Sequence, residues 1–160
     1  MHDSIWAPWR MDYIKSQSNH ECFLCEALES KNDKEALILY RADNAAIIMN
    51  KYPYSYGHLM VIPNRHTDDI TSLNDNELSD INILTNKCIH ALRNVCNPSG
   101  FNIGYNIGKA AGAGLAAHLH RHVLPRHVGD TNFITTIGET RVIPDLLERQ
   151  YDQLFPFMQG

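Results

Sequence analysis

One long helical pattern, set among short β-type segments, constrains the fold of this chain more than any other feature. Asn74, followed three residues later by Glu77, forms a capping-box signature that predicts a helix N-terminus. Apolar residues then recur at the spacing of one helix face, up to the turn at Asn97-Pro98: Leu78, Ile81, Leu84, Cys88, Ala91, Leu92 and Val95. We therefore predict an amphipathic helix over residues 75–96.

Short β-type runs precede this helix. Residues 37–40 and 45–49 are rich in aliphatic side chains, and Asp43-Asn44 between them predicts a hairpin turn. Residues 59–62 form a further apolar run, which should end at Pro63 because proline cannot donate a hydrogen bond to a β-ladder.

Two more strands are predicted after the helix. Apolar residues alternate with polar residues or glycine over 101–107. A loop rich in glycine and alanine, over 108–114, then leads to a final strand that holds His118, His120 and His122. Strands with hairpin-length links around one long helix indicate an α+β domain with a mainly antiparallel sheet.

The length of 160 residues fits a single domain, residues 1–160. Residues 1–35 are mixed and polar, and we expect them to form an N-terminal arm with an aromatic patch at Trp6 and Trp9. The sheet and the main helix are expected over 36–142. A C-terminal helix is expected over 143–160, since Pro144 suits a first helical turn.

Composition and charge exclude several classes of function. A net charge of −4 argues against a general nucleic-acid binder, and no apolar run is long enough to cross a bilayer. Without a visible signal peptide, the cytoplasm is the expected location. Two long stretches carry no acidic residue, between Asp43 and Asp68 and between Asp80 and Asp130, although both carry Lys and Arg. This distribution predicts a local positive field suited to a small polyanionic substrate.

The strongest chemical signal is the run His118-Leu119-His120-Arg121-His122. Side chains alternate along a strand, so its three histidines should project from one face. Leu119 should then face the core, with Arg121 on the same face or at an edge. Imidazoles act near pH 7 as nucleophiles, proton carriers and metal ligands. The run therefore predicts either a three-histidine metal centre or phosphorus transfer with a histidine nucleophile.

Together with the two apolar residues that follow it, this run resembles the signature of the histidine triad (HIT) family. Residues 56–66, which include Gly57-His58 and end at His66, resemble the other hallmark strand of that family. Residues 125–126, 129–133 and 6–11 are similar to the branch that contains diadenosine tetraphosphate hydrolases and phosphorylases. The resemblance spans nearly the whole chain, and it implies a HIT-like fold with a sheet of five strands and a homodimer.

The resemblance also implies roles for individual residues. His120 matches the nucleophile that forms a covalent nucleotidyl-histidine intermediate. His122 and His58 match residues that contact phosphate oxygens or help the leaving group depart. Asn50 matches a ribose-contacting position, and Asn106 matches an asparagine near the phosphates. The implied substrate is a purine nucleotide, a dinucleoside polyphosphate or a related adenylylated compound.

The pair Cys22-x-x-Cys25 predicts metal or redox chemistry rather than a disulfide scaffold. Zinc-bearing HIT proteins complete such a pair with the histidines that match His66 and His118. The resemblance therefore implies a closed, structural Zn²⁺ site of two cysteines and two histidines. The redox alternative would require a strand before the pair and a helix after it, and the polar arm gives no sign of that setting.

One departure from the family pattern bears on the acceptor of the nucleotidyl group. The phosphorylases have a Gly-Ser pair where this chain has Ala113-Gly114, and no Ser or Thr occurs between Asn106 and Asp130. Phosphate would then be held by backbone N–H groups around Gly114. This departure favours water as acceptor and hence a nucleotide hydrolase. A phosphorylase remains an alternative, as does a non-catalytic nucleotide- or zinc-binding protein, against which the intact triad argues.

Overall fold

The computed structural model describes residues 22–130 and 145–159, which contain one antiparallel five-stranded sheet in the order β1-β2-β3-β5-β4. This architecture confirms the predicted α+β class. The strands are β1 (Ile38–Arg41), β2 (Ala45–Met49), β3 (Leu59–Pro63), β4 (Gly100–Tyr105) and β5 (Arg121–Arg126). The helices are α1 (Phe23–Glu29), α2 (Asp75–Cys96) and α3 (Leu147–Leu154), the last followed by a 3-10 turn at Phe155–Met158.

Helix α2 has the predicted bounds and the predicted cap. The Asn74 side chain accepts hydrogen bonds from the backbone N–H groups of Asn76 and Glu77, and the Glu77 carboxylate accepts one from the Asn74 N–H. Asn97 ends the helix in a left-handed conformation with φ of 42°. None of the described helices is long and apolar enough to span a membrane.

Strands β2 and β3 are buried on both faces of the sheet. Its first face packs on α2 and α3 through a cluster that includes Ile47, Val61, Leu119 and Val123. On the second face, residues of β1, β2 and β3 pack around Leu24 of α1. Helix α1 was not predicted, because its seven residues are too few for a helical period to stand out in a polar arm. The aromatic patch at Trp6 and Trp9 lies outside the described residues, as does Pro144.

The prediction that one strand holds all three histidines of the run is wrong. Strand β5 begins at Arg121, so His118 and His120 precede it. The ladder between β3 and β5 ends at the pair Val61 and Arg121. Pro63 has no N–H with which to continue it, and the Leu119 N–H donates instead to the Thr67 carbonyl at 2.6 Å.

The turn before β3 depends on Gly57, which has a φ of +69°. A Cβ atom at this position would lie 2.7 Å from Leu92 Cδ2, so any side chain would collide with α2. The Gly57 N–H donates to the Gln150 side chain of α3 at 2.9 Å. This close approach fixes the turn that ends at His58, the residue directly before β3.

Candidate active site and metal cluster

The alternation predicted for the histidine run holds in spite of the shorter strand. Leu119 and Val123 lie in the core cluster beneath α2. Arg121 shares that side, since its guanidinium donates to Asn82 of α2 at 2.7 Å. His122 lies opposite Met60 on β3 and therefore faces the other side of the sheet. The even-numbered histidines thus all point away from the long helix.

His120 presents a free ring nitrogen to this side. Its Nδ1 lies 2.8 Å from the His118 carbonyl oxygen, which can only accept a hydrogen bond. Neutral His120 therefore carries its proton on Nδ1 and leaves the Nε2 lone pair unprotonated. With this backbone acceptor on Nδ1, the Nε2 lone pair of the imidazole is able to act as a nucleophile.

His58 and His122 form a buried chain beside it. His58 Nε2 lies 2.9 Å from His122 Nδ1, and His122 Nε2 lies 3.3 Å from Asn106 Nδ2. On the other side of His58, the Tyr54 N–H donates to its Nδ1 at 3.1 Å. Burial, followed by the proximity of the other histidines, lowers the pKa of His58 to about 3 and that of His122 to about 4. Both imidazoles are therefore neutral near pH 7.

A cavity of about 490 Å³ opens above these rings, a size suited to a small ligand. Among the predicted site residues, His120, His122, Asn50 and Gly114 line it, while His58 lies in the layer behind. The sequence interpretation missed the other residues of its wall, which are mostly aromatic or apolar: Phe23, Tyr52, Pro53, Tyr54, Met60, Gly112 and Leu115. Their signals in the sequence are the glycine-rich loop, which contains Gly112, and the position of Tyr52 and Tyr54 shortly before His58.

Asn50, predicted to contact a ribose, also contacts the histidine chain. Its Oδ1 accepts the Tyr52 N–H at 2.9 Å, which orients the amide so that Nδ2 faces His58 Nδ1 at 3.2 Å. The Tyr54 ring packs over both imidazoles, with centroid distances of 4.6 Å to His58 and 5.6 Å to His122. The turn between β2 and β3 thus holds His58 from two directions.

The predicted metal ligands converge on the same side of the sheet. The ligand atoms of Cys22, Cys25, His66 and His118 all lie within 4.8 Å of one another. The closest approaches are 3.1 Å from Cys25 Sγ to His66 Nδ1, and 3.3 Å from Cys22 Sγ to His118 Nδ1. Adjacent ligands of a tetrahedral zinc ion lie about 3.6 Å apart, given Zn–S and Zn–N bonds of about 2.3 and 2.1 Å. The four residues therefore fit a zinc ion.

The donors of this cluster are also in a suitable state. His118 Nε2 lies 2.9 Å from the Pro63 carbonyl, so its proton is on Nε2 and its Nδ1 lone pair faces the cysteines. Burial and the neighbouring Cys22 raise the pKa of Cys25 to about 11, and a bound cation would favour the thiolate again. Arg65, next to His66, is joined through two hydrogen bonds to Glu77 and so ties this segment to α2.

A three-histidine metal centre, the alternative for the run, does not fit this geometry. His118 points its free nitrogen at the two cysteines, whereas His120 and His122 face the cavity. Within residues 22–130 and 145–159, only the cluster of two cysteines and two histidines brings three or more such ligand atoms together.

The antiparallel five-stranded sheet, with histidines of one short run facing a cavity, is an arrangement known from other proteins. The profile of the HIT domain matches residues 31–129, and the chain belongs to the HIT family.

Comparisons with individual proteins agree with this membership. The chain is 40% identical over 151 residues to an AP-4-A phosphorylase from Mycobacterium tuberculosis, a match covering 89% of this chain and 77% of that protein. It is 32% identical over 93 residues to an asymmetrical bis(5'-nucleosyl)-tetraphosphatase from Schizosaccharomyces pombe, covering 58% and 50%. A Zn-bound histidine triad family protein from Mycobacterium smegmatis superposes with a TM-score of 0.68 at 27% identity, covering 87% and 94% of the two chains.

Proposed function

We propose that this protein cleaves dinucleoside polyphosphates, or related adenylylated compounds, at the α-phosphorus through a covalent intermediate on His120. One observation carries the proposal: the Nε2 lone pair of His120 is freed by the bond from Nδ1 to the His118 carbonyl, beside the cavity. Binding alone would not need an oriented nucleophile, because a non-catalytic pocket has no bond to form. The relatives named for phosphorolysis and for hydrolysis of such compounds support the same substrate class.

In the first step, Nε2 of His120 donates its lone pair to the α-phosphorus. The bond from phosphorus to the bridging oxygen breaks, and its electron pair leaves with the remaining polyphosphate. His120 keeps its Nδ1 proton, and the His118 carbonyl stabilises the positive charge that forms on the ring. In the second step an acceptor attacks phosphorus, and the N–P electrons return to Nε2.

We propose water as that acceptor, which makes the protein a hydrolase. This chain has Ala113 and Gly114 where the phosphorylases have Gly and Ser, and Gly114 lines the cavity. Inorganic phosphate would have to be held in line with the intermediate, and no hydroxyl is supplied there for it. Water adds its oxygen to phosphorus and releases one proton to solvent, so the products are AMP and the remaining nucleotide.

Phosphorolysis is the second candidate, and the 40% identity to a protein named AP-4-A phosphorylase favours it. In that reaction inorganic phosphate attacks the nucleotidyl-histidine and yields ADP in place of AMP. The first step and the role of His120 are the same in both reactions.

Product analysis tests the proposal. Diadenosine tetraphosphate, with and without millimolar phosphate, should give AMP and ATP in both cases. Complete conversion to ADP and ATP upon addition of phosphate would replace the hydrolase by the phosphorylase. An alkaline quench followed by mass spectrometry should find one AMP moiety on His120. If the protein binds nucleotides but does not turn them over, the non-catalytic binding protein is the correct alternative.

We further propose that the cluster of Cys22, Cys25, His66 and His118 holds one structural zinc ion. The four donors fit that ion, and a Zn-bound relative shares the fold. Bound there, the metal would supply no chemistry to the cavity; its ligands would anchor α1 and the segment before His120.

A homodimer is proposed as well, since β4 is an edge strand and exposes Ile103. Size-exclusion chromatography with light scattering would show a monomer if this proposal is wrong.

A further inference from the structure

We propose that the site selects leaving groups that depart as anions, and hence phosphoanhydrides over phosphoramidates. The hydrogen bonds around His58 let His122 donate a hydrogen bond to the departing atom but leave it no proton to transfer. Tyr54 and Asn50 are the positioning residues that impose this state. The inference rests on the proposed function, because it assumes attack by His120 at the α-phosphorus.

The direction of the hydrogen-bond chain follows from a group that can only donate. The Tyr54 backbone N–H lies 3.1 Å from His58 Nδ1, so this nitrogen must carry a lone pair. The Asn50 amide, oriented by the Tyr52 N–H, directs a second donor to the same atom. Neutral His58 therefore has its proton on Nε2.

The bond from His58 fixes the tautomer of His122 as well. His58 Nε2–H lies 2.9 Å from His122 Nδ1 and donates to it, so the proton of neutral His122 is on Nε2. With the proton there, His122 Nε2 is a donor, and it lies 3.3 Å from the amide nitrogen Nδ2 of Asn106, which is also a donor. Two donors cannot bond to each other, but both can donate to the oxygens of a departing phosphate.

The hydrogen bonds around the imidazoles of His58 and His122 therefore allow the pair to carry only two ring N–H protons. One lies between the rings and the other on His122 Nε2. A third proton would have to sit on His58 Nδ1, where it would face the Tyr54 N–H. Loss of the Nε2 proton to a leaving group would leave a single proton on two imidazoles, which is an anionic pair in a buried site. The pair can therefore stabilise charge but cannot act as a general acid.

The surroundings of the pair maintain this neutral state. His58 is 1% exposed and His122 is 6% exposed, and the Tyr54 ring lies over both. No carboxyl or ammonium group is among the residues that line the described cavity. The low pKa values of both histidines agree with the proton count.

The chemistry of the leaving group then decides which bond breaks. A polyphosphate departs with the electron pair of the P–O bond as a stable anion, since its terminal phosphate has a pKa near 6. An amine must instead gain a proton as the P–N bond breaks, because an amide anion is not a viable leaving group. The site supplies a hydrogen bond, which suffices for the first case, and no proton, which the second requires.

Two substrates with the same adenosine 5'-phosphoryl group provide the test, diadenosine tetraphosphate and adenosine 5'-phosphoramidate. We expect kcat/KM for the anhydride to exceed that for the phosphoramidate by about a thousandfold or more, since general-acid catalysis contributes about 10²–10⁴-fold where it operates. Phosphoramidate turnover within tenfold of the anhydride, in a protein that needs His120, would overturn this inference alone. Anhydride turnover that survives in His120→Ala would instead overturn the proposed function.

Asn50→Asp tests the positioning role. A carboxylate in place of the amide can keep the bond from the Tyr52 N–H through one oxygen and accept a proton on His58 Nδ1 through the other, so the pair gains room for a third proton. We expect the ratio of phosphoramidate to anhydride kcat/KM to rise about tenfold. Asn50→Ala is the matched control, because it removes the side chain without adding an acceptor. Any loss of ribose binding affects both substrates equally, so it cancels in the ratio of their kcat/KM values. If that ratio is unchanged in Asn50→Asp, the proposal is contradicted.

A spectroscopic measurement addresses the tautomers without turnover. Nitrogen-15 chemical shifts of the imidazoles should show protons on Nε2 of both His58 and His122, and Tyr54→Phe should preserve them because it retains the ring and the backbone N–H. Tyr54→Phe should also keep the substrate ratio, which excludes the hydroxyl as a hidden acid. A proton on His58 Nδ1 in the unaltered protein would overturn the inference.

Discussion

His118 and His120 stand two residues apart and are chemically identical, but they offer opposite ring nitrogens to their surroundings. His118 donates from Nε2 to the Pro63 carbonyl and turns Nδ1 toward the two cysteines. His120 donates from Nδ1 to the His118 carbonyl and turns Nε2 toward the cavity. The backbone carbonyl that each ring meets thus decides which nitrogen keeps its lone pair, Nδ1 for the proposed metal ligand His118 and Nε2 for the proposed nucleophile His120.

The cysteine–histidine cluster and the cavity are also connected through one residue, His118. The carbonyl that orients His120 belongs to His118, whose side chain is part of the proposed zinc cluster. Metal binding would therefore hold the residue whose carbonyl orients His120. The following predictions test whether the two regions differ in function as they differ in geometry.

The largest effect is expected at the nucleophile. His120→Ala should lower kcat by about 10⁴-fold or more, since the covalent step needs its ring nitrogen. Affinity for AMP should change little, because the other cavity residues remain. Calorimetric titration and steady-state kinetics measure the two quantities, with the exposed His90→Ala as control. Retention of most of the activity would refute the mechanism.

Removal of the metal ligands should affect stability more than chemistry. Cys22→Ala with Cys25→Ala should lose the zinc, expected at about one ion per chain in the unaltered protein, and lower Tm by about 10 °C. A closed metal site contributes several kcal/mol, and a domain of this size shifts by about 2–4 °C per kcal/mol. Cys96→Ala is the matched control, because Cys96 lies outside the cluster. Stoichiometric zinc in the double variant would place the metal at the histidine run.

Acid should destabilise the protein through the cavity histidines. The unfolded chain binds a proton on each near pH 6.5, whereas the folded pKa values are about 3 for His58 and about 4 for His122. Stability is therefore full above pH 6.5 and falls as the pH decreases, by up to about 1.4 kcal/mol per pH unit for each histidine. Between pH 6.5 and 5, the loss in the free energy of unfolding, measured in urea, should be about 1.6 kcal/mol larger for the protein than for His58→Gln.

Parallel pH slopes for the protein and His58→Gln would show that His58 is not held neutral. The comparison between the two proteins removes the contribution of metal release, since both carry the same cysteines.

The smallest effect concerns the acceptor. Gly114→Ser should raise the share of ADP formed in the presence of phosphate by about tenfold, since a hydroxyl hydrogen bond to an anion contributes about 1.5 kcal/mol or more. Gly114→Ala is the control, because it adds a Cβ without the hydroxyl. Equal product ratios in the two variants would mean that the hydroxyl does not govern the choice of acceptor.

Several parts of the molecule followed from local sequence alone. The capping box and periodicity of α2 predicted its bounds, and the hairpin of β1 and β2 was confirmed because both signals lie within a few residues. Helix α1 was missed, since its stability comes from burying Leu24 against the far face of the sheet. The start of β5 was missed as well, because Pro63 on another strand ends the ladder.

The sequence by itself determined the kinds of chemistry available, through three histidines at alternate positions, a cysteine pair and a glycine-rich loop. It could also indicate, through the family resemblance, which four residues would meet at a metal. Only the tertiary structure decided which nitrogen each histidine offers, because the Pro63 carbonyl, the His118 carbonyl and the Tyr54 N–H make that choice. These are backbone groups common to every residue, so no sequence pattern marks them, and their directions exist only once the chain is folded.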